Sequence, residues 1–456
     1  MKFFALATLS LLLLMGSSTC GKIEHPETAA FIASPIKVFF TLPPLDSTNT
    51  EEALTQPNKT LNALIELIGN AQKTLDIAIY SFSLKSIAIA LTRACQRNVR
   101  VRLVMERESA KSDYFPNSPA CPAIKLDENS ALMHEKFMII DEASVWIGSL
   151  NWTCLDLYTD ANNVLLIHDA SIAASFKQEF DEMFSGHFGK KKTNPSYTRV
   201  NVDETMIDLF FLPNKNAHNA LHRKIDTARS SIYIAMYAFT DNLLKEALLD
   251  AKAHGVQVHA VWDYQSLTIS GSDVLAMVNR DVGVLDALAG LVHHKFAVID
   301  EKTVIMGSAN WSRAGFESND ENLLIIEDAQ IARAYLAHWK QLYDDAIRYD
   351  YVPLDVPRLN SRVFPRSEDH HKLGVSVQWR PHFVHAVDEY ELCRALSSQG
   401  PCEKVFPDLA PGSDGLTDES VLSNQTYYYR LRGRVGDRWS EYSNEYSTDP
   451  SQNCHE

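Results

Sequence analysis

Glycine and proline are sparse, 18 of each among 456 residues, which excludes a collagen repeat and a low-complexity disordered chain. Positive charge is in deficit: 43 Lys+Arg stand against 58 Asp+Glu, a formal net charge of −15. Proteins that coat nucleic acid draw their affinity from clustered Lys and Arg, so this balance argues against one while leaving room for a local basic pocket. No CxxC pair and no Cys/His metal spacing occurs among the 7 cysteines and 16 histidines, so neither a metal nor another cofactor is expected. Beyond the amino terminus no run is long and apolar enough to span a bilayer. What remains is an ordinary globular composition, 45% hydrophobic. At ~150 residues per domain it suggests about three domains, each able to bury its own core.

Residues 1–18 read as a secretory signal: Lys2 gives a positive start, Phe3 to Met15 an apolar run, and Gly16-Ser17-Ser18 small residues for cleavage. The expected location is therefore secreted, periplasmic or lipid-anchored outside the cell. Cys20 sits where a bacterial lipoprotein carries its lipidated cysteine, but Ser17 and Thr19 depart from the usual lipobox, which makes it a weak anchor. Setting Cys20 aside leaves an even set of Cys95, Cys121, Cys154, Cys393, Cys402 and Cys454, as an oxidising compartment favours. Cys393 and Cys402 flank the turn-rich Ser397-Ser398-Gln399-Gly400 and form the best pair; the remaining connectivity stays open.

The chain repeats itself once. Each copy opens with a strand, Ile36 to Phe40 and Met206 to Phe211, followed by a helix, Thr60 to Gln72 and Asn219 to Ala228. Strands follow at Leu75 to Phe82 and Ile232 to Phe239, then a further helix, then Val99 to Val104 and Val256 to Val261. This alternation predicts an α/β fold with βαβ units and a largely parallel sheet in each half, spanning 36–190 and 200–348. Lys190-Lys191-Lys192, in the polar stretch between the halves, reads as a solvated linker. After a Pro-bearing linker over 349–371, short alternating segments predict an all-β sandwich over 372–449. Tyr427, Tyr429, Leu431 and Gly433 fall on one face, with Arg430 and Arg432 on the other. With Trp379 in the core, Tyr427 as corner tyrosine after Leu422, and Trp439 to Ser443 as last strand, this region resembles a fibronectin type III domain.

The chemistry lies in two stretches, His134-Glu135-Lys136 running to Asp141 and His293-His294-Lys295 running to Asp300. Each is followed, 14 residues after its histidine, by a Gly-Ser-x-Asn-Trp run, Gly148 to Trp152 and Gly307 to Trp311. One such match is noise; two at identical spacing in duplicated halves are not. On a strand, side chains at i and i+2 share a face, so His134 converges with Lys136 and His293 with Lys295. Two lysines, with Ser149, Asn151, Ser308 and Asn310 as phosphate-binding donors, suit the charge that grows when a nucleophile attacks phosphorus. One histidine attacks and the other protonates the departing alkoxide. Trp152 and Trp311 read as packing residues, and His294 points to the opposite strand face.

These motifs are similar to those of the phospholipase D superfamily, the HKD phosphodiesterases, over about residues 36–345. The resemblance implies a monomer with an internal pseudo-dimer: two α/β/α halves around one active site, and a displacement through a covalent phosphohistidine. It implies that Asp141 and Asp300, though part of the catalytic motif, mainly order it. It also implies a carboxylate downstream of each Asn that orients a histidine across the interface. Glu321 fills that place 11 residues after Asn310, whereas Asn162, 11 residues after Asn151, is a neutral amide. Glu321 would therefore support His134 as nucleophile, leaving His293 as general acid.

Three activities are weighed. An exported phospholipase D acting on phospholipid headgroups, touching the membrane peripherally, is favoured by the signal, the acidic charge and the two motifs in one chain. A secreted, metal-independent endonuclease is the runner-up, with nucleic acid as substrate; its support is the compact halves and Arg100 and Arg102 on one strand face, with Arg97 just before. A non-catalytic adhesion module is third. Lipid synthases are disfavoured because no transmembrane segments are seen.

Overall fold

The computed structural model describes residues 35–42, 58–109, 121–193, 197–286, 288, 290–351, 365–369, 372–378, 388–410, 415–422, 425–435, 438–439, 442 and 446–447. The signal segment, Cys20, Cys454 and Trp379 lie outside them.

The first half runs β1 (Ile36–Thr41), α1 (Lys59–Asn70), β2 (Thr74–Ile79), α2 (Lys85–Gln96), β3 (Arg100–Met105), β4 (Ala123–Leu126), β5 (Lys136–Ile140), β6 (Ser144–Gly148), α3 (Cys154–Tyr158), β7 (Asn162–Ile167) and α4 (Ala170–Phe184). The second runs β8 (Tyr197–Val202), β9 (Thr205–Leu212), α5 (Lys215–Asp226), β10 (Ser231–Met236), α6 (Asn242–Ala253), β11 (Gln257–Trp262), α7 (Val274–Val278), β12 (Val284–Leu285), β13 (Lys295–Ile299), β14 (Thr303–Gly307), α8 (Arg313–Glu317), β15 (Glu321–Glu327) and α9 (Ala329–Tyr351). Strand order is β1-β7-β6-β5-β2-β3-β4 in one sheet and β12-β11-β10-β13-β14-β15-β9-β8 in the other. Read from opposite ends the two orders match, with β8 added at one edge.

The expected parallel sheet is corrected to a mixed one. Strands β2, β3 and β4 run parallel, but β5, β6, β7 and β1 pair antiparallel, and the second half repeats this. The reason is the connection after each motif. Asp141 and Glu142, like Asp300 and Glu301, adopt positive φ and turn the chain back within a few residues, too few for a crossover helix. The β2 and β10 strands also end earlier than the apolar pattern suggests, at Ile79 and Met236, because Tyr80 and Tyr237 donate their backbone N–H to Glu135 and His294 instead.

Both sheets are covered on two faces, which is why β2, β5 and β7 are buried along almost their whole length and are mainly apolar, with Asp76, Lys136, Asn162 and Asn163 as buried polar residues. One apolar core lies between the halves, where Phe137, Phe176, Phe211, Phe296 and Tyr335 pack with ring centroids 4.9–5.0 Å apart. The other two lie beneath the outer helices of each half. Helix α1 shows the local logic: the Asn58 side chain caps it by accepting from the Leu61 N–H at 2.9 Å, and Leu61, Leu64 and Ile68 recur at helical spacing to enter the core.

Beyond α9 the carboxy-terminal region is all-β, with one sheet of β16 (Pro365–Asp369), β17 (Lys372–Gln378) and β20 (Gly415–Val421). The other holds β18 (Glu389–Ala395), β19 (Lys404–Leu409), β21 (Tyr428–Val435), β22 (Arg438–Trp439) and β23 (Tyr446–Ser447). Tyr427, Tyr429, Leu431 and Gly433 are buried while Arg430 and Arg432 are not, and Tyr427 Oη accepts from the Leu422 N–H at 3.1 Å. Two expectations are corrected. β16 falls inside the span read as linker, its proline tolerated as first residue of an edge strand. Trp439 precedes the last strand, and its ring instead stacks on the Arg432 guanidinium 4.7 Å away. Two disulfides close Cys95–Cys121 and Cys393–Cys402, the latter as expected, and Cys154 is also disulfide-bonded. Among the described residues no helix is long and apolar enough to cross a membrane.

Candidate active site

Lys136 and Lys295 open equivalent strands, β5 and β13, with each histidine two residues earlier in extended chain. Parallel bridges from Met133 to Asp320 and from Ala161 to Val292 cross between the halves. They are held by the His134 N–H donating to the Asp320 carbonyl at 2.9 Å and the Ala161 N–H to the Leu291 carbonyl at 2.7 Å. Each histidine is thereby laid beside the first residue of the other half's final strand. His134 meets Glu321, and His293 meets Asn162.

The His134 Nδ1–H donates to both Glu321 carboxylate oxygens at 2.8 Å. An ionised carboxylate only accepts, so the proton sits on Nδ1 and leaves Nε2 for chemistry. His293 Nδ1 bonds Asn162 Oδ1 at 2.9 Å, with the Asp156 carboxylate 3.3 Å away. Each lysine Nζ donates to the carbonyl of its own histidine, Lys136 at 2.6 Å and Lys295 at 2.7 Å. The ammoniums stand 4.9 Å from the Tyr80 ring centre and 5.2 Å from that of Tyr237, and those rings lie edge-on against His134 and His293. The gathering of both histidines and both lysines at one interface is what the sequence predicts.

All four groups are buried, and burial works against every charge here. Burial, with Lys136 and Lys295 beside it, holds the His134 imidazole well below its usual pKa. Burial and Lys295 bring His293 down to about 3, against the pull of Asp156. Lys136 is pushed down to about 8 by burial, and Lys295 well below its usual value by burial and by Lys136. Glu321 is pushed up to about 7 by burial. An anion placed between the ammoniums would offset the penalties on the two lysines and the two histidines, which is the electrostatic signature of a phosphate site.

Several expected roles are corrected. The hydroxyls of Ser149 and Ser308 do not await phosphate: Ser149 donates to Asn162 Oδ1 at 2.8 Å, and Ser308 donates to Glu321. They hold the acceptors that hold the histidines. Asn151 is likewise engaged, its Nδ2 donating to Asp156 Oδ1 at 3.1 Å; Asn310 is half-buried, with its side-chain Oδ1 unpartnered, as is Asn151 Oδ1. Asp141 and Asp300 lie at the far ends of β5 and β13, away from the histidines. The Asp141 carboxylate accepts from the backbone N–H groups of Gln72, Lys73 and Thr74 at 2.6–2.9 Å. Asp300 does the same with Arg229, Ser230 and Ser231. They order the strand starts and touch nothing reactive. Nor is Lys192 solvated: its side chain is tucked between Glu179 and Asp320, 2.7 Å from the latter. Arg102 is no phosphate contact either, because Asp76 holds it at 2.7 and 2.8 Å and Asp181 at 2.9 Å, at the end of β3 remote from the site. Arg97 donates to the Ile68 carbonyl at 3.0 Å, and exposed Arg100 faces Glu142 at 3.5 Å. Trp152 and Trp311 are buried packing residues, and His294, on the opposite face, bonds Asn163 at 3.0 Å.

Sequence reasoning missed three residues. Tyr80 and Tyr237 were signalled by their matching places before the two Phe82 and Phe239 bridges. Asp156 was hidden because the other copy has Gly315 at its place. Among the described residues no group of three or more His, Cys, Asp or Glu side chains is arranged to hold a metal ion.

The model of the cardiolipin synthase PLD-like domain matches residues 64–184 and 221–343, more than half the chain and one match per half. The chain belongs to the phospholipase D superfamily. It is 37% identical over 145 residues to a phospholipase D of Rickettsia bellii, an alignment covering 31% of this chain and 72% of the relative. To the mouse mitochondrial cardiolipin hydrolase it is 30% identical over 143 residues, covering 31% of this chain and 65% of that protein. Among solved structures, NucT from Helicobacter pylori is 28% identical, with a TM-score of 0.29, covering 31% of this chain and 98% of that one. As a member of this superfamily the chain is a phosphodiesterase, a hydrolase of phospholipase D type.

Proposed function

We propose that this protein is an exported phospholipase D that hydrolyses phospholipid headgroup esters through a phosphohistidine. The observation that carries the reading is the pair of imidazoles from separate halves, each held at Nδ1 by an acceptor of the opposite half, beside two buried ammoniums. His134 Nε2 attacks phosphorus and the P–O bond to the headgroup breaks, its electron pair staying on the alkoxide. His293 delivers a proton to that oxygen. Water then attacks the phosphohistidine, His293 takes its proton, and the P–N bond breaks to return His134 and release the phosphatidate. Lys136 and Lys295 each have two N–H donors left for the equatorial oxygens. His293 is neutral in the empty site; the negative charge of the diester supplies the reason for it to take a proton.

Lipid as substrate is supported by the names of the relatives, a phospholipase D and a cardiolipin hydrolase. The pairing of Arg97, Arg100 and Arg102 within the fold removes the support they lent to a nucleic-acid channel. Export is supported by the disulfides, which persist in oxidising compartments. We assign the carboxy-terminal β region to a fibronectin type III-like sandwich that tethers a monomeric enzyme near its membrane substrate, with Cys20 as a second, weaker anchor. The test incubates purified protein, with EDTA, with phosphatidylcholine vesicles and separately with plasmid DNA. Choline release with intact plasmid is expected; nicked plasmid without choline release supports the nuclease, and neither product the adhesion module.

A further inference from the structure

The second half serves His134 with one charged residue, Glu321. The first half divides the same task. Asn162 gives His293 a neutral oxygen at 2.9 Å, and Asp156 brings a carboxylate oxygen within 3.3 Å of the same Nδ1. Asp156 is 5% exposed and is the third residue of α3; the third residue of α8 is Gly315. A Cβ at Gly315 would stand 2.4 Å from the Asn310 carbonyl oxygen, so the second half has no room for a side chain there. Each half thus carries one buried carboxylate aimed at the opposite histidine, in two different places. The Asp156 side chain is locked in position: Oδ2 accepts from the Thr153 hydroxyl at 2.5 Å, and Oδ1, the oxygen nearest His293, also accepts from Asn151 Nδ2.

We propose that Asp156 is the positioning residue of His293, a counter-charge moved from the strand start to the preceding helix, which lets that imidazole take and hold the proton it hands to the leaving alcohol. Asn162 selects the tautomer but brings no charge. Asp156 brings the charge, and its Coulombic pull on His293 acts against burial and Lys295. When the P–O bond breaks, the Nε2 proton moves to the alkoxide and the imidazolium returns to neutral. This rests on His293 being the general acid.

The Asp156→Asn protein separates charge from shape. Its kcat/KM, which reports steps up to alcohol departure, is measured on a choline ester and on a p-nitrophenyl ester of the same phosphate; nitrophenolate leaves without a proton. With the choline ester the loss should be about 10–100-fold, and with the nitrophenyl ester under about threefold. Asp156 also braces the Thr153 cap, and loss of a brace would slow both esters alike. The pair Asp156→Gly with Asn162→Glu transplants the arrangement of the second half and should recover most of the loss, with thermal unfolding recorded for each variant. Equal losses on the two esters, no loss, or a folded double variant without recovery overturns the proposal. A wild-type protein that cleaves neither ester sinks the phosphodiesterase reading itself; an active wild type beside an indifferent Asp156→Asn sinks only this one.

Discussion

Replacing Glu321 by Gln removes one charge from the site and keeps its shape. Both Glu321 oxygens face the His134 Nδ1–H at 2.8 Å, while Ser308 and, at 3.2 Å, the Asn319 amide donate to the same carboxylate. A glutamine has one acceptor oxygen for these three donors. Its NH2 must then face Ser308 and Asn319, which have protons of their own, or face Nδ1 and force the imidazole into the wrong tautomer. Losing the charge-assisted bond is worth about 1.5–3 kcal/mol, and inverting the tautomer of a catalytic histidine costs up to about 10⁴-fold. We expect kcat/KM for choline release to fall by about 10²–10⁴-fold. KM should move little, because the side chain touches the histidine and not the substrate. Stability should not fall, since burial pushes this carboxyl up to about 7 and the amide carries no charge to bury. A folded Glu321→Gln protein within about threefold of wild type would refute the coupling of Glu321 to His134 chemistry.

Other outcomes follow from the same structure. Asp141→Asn and Asp300→Asn should each lower stability by about 1 kcal/mol, discounted for partial exposure, with activity retained when folded; thermal unfolding beside choline release checks this. Burial opposes ionisation of these two carboxyls, but three backbone N–H donors outweigh it and hold them below the usual range. Their contribution is therefore full above the ordinary carboxylate pKa and lost as pH falls through the lowered folded values, so the two variants converge on wild type in acid. The pH profile of kcat/KM should be a narrow bell, rising as Glu321 ionises near its value of about 7 and falling as the two ammoniums lose their protons, Lys136 near about 8 and Lys295 from its own strongly lowered value. Gly148→Ala would set a Cβ 2.0 Å from the Asn163 carbonyl oxygen, and overpacking of this kind costs about 1–3 kcal/mol, so both melting temperature and activity should drop. Replacing Cys95 and Cys121 by Ser opens a loop of sequence separation 26 and should cost about 3 kcal/mol, read by denaturant unfolding.

The site was legible because two identical spacings repeat: His134 with Lys136 and His293 with Lys295 are fixed by strand periodicity, while Glu321 was implied by the family resemblance, which places a carboxylate downstream of Asn310. Sheet direction was not, because the turns at Asp141 and Asp300 depend on positive φ at an aspartate, which residue type alone does not declare. Ser149 and Ser308 looked like phosphate donors because spacing says where a hydroxyl lies and not which lone pair it meets first. Asp156 was illegible because it stands opposite a glycine, so comparing the halves suggested no role. Lys192 looked solvated because one partner, Glu179, stands on the preceding helix and the other, Asp320, lies far along the chain in the second half, so the pair encloses it only when the halves dock.

The central claim is that one phosphorus atom is handled by two imidazoles from separate halves. Rapid quench of the enzyme with a soluble phosphodiester, followed by mass spectrometry of the digested chain, tests it directly. The account predicts a phosphoryl adduct on His134, present in wild type and in His293→Ala and absent in His134→Ala. An adduct that forms in His134→Ala but not in His293→Ala, or on neither histidine during turnover, would contradict it.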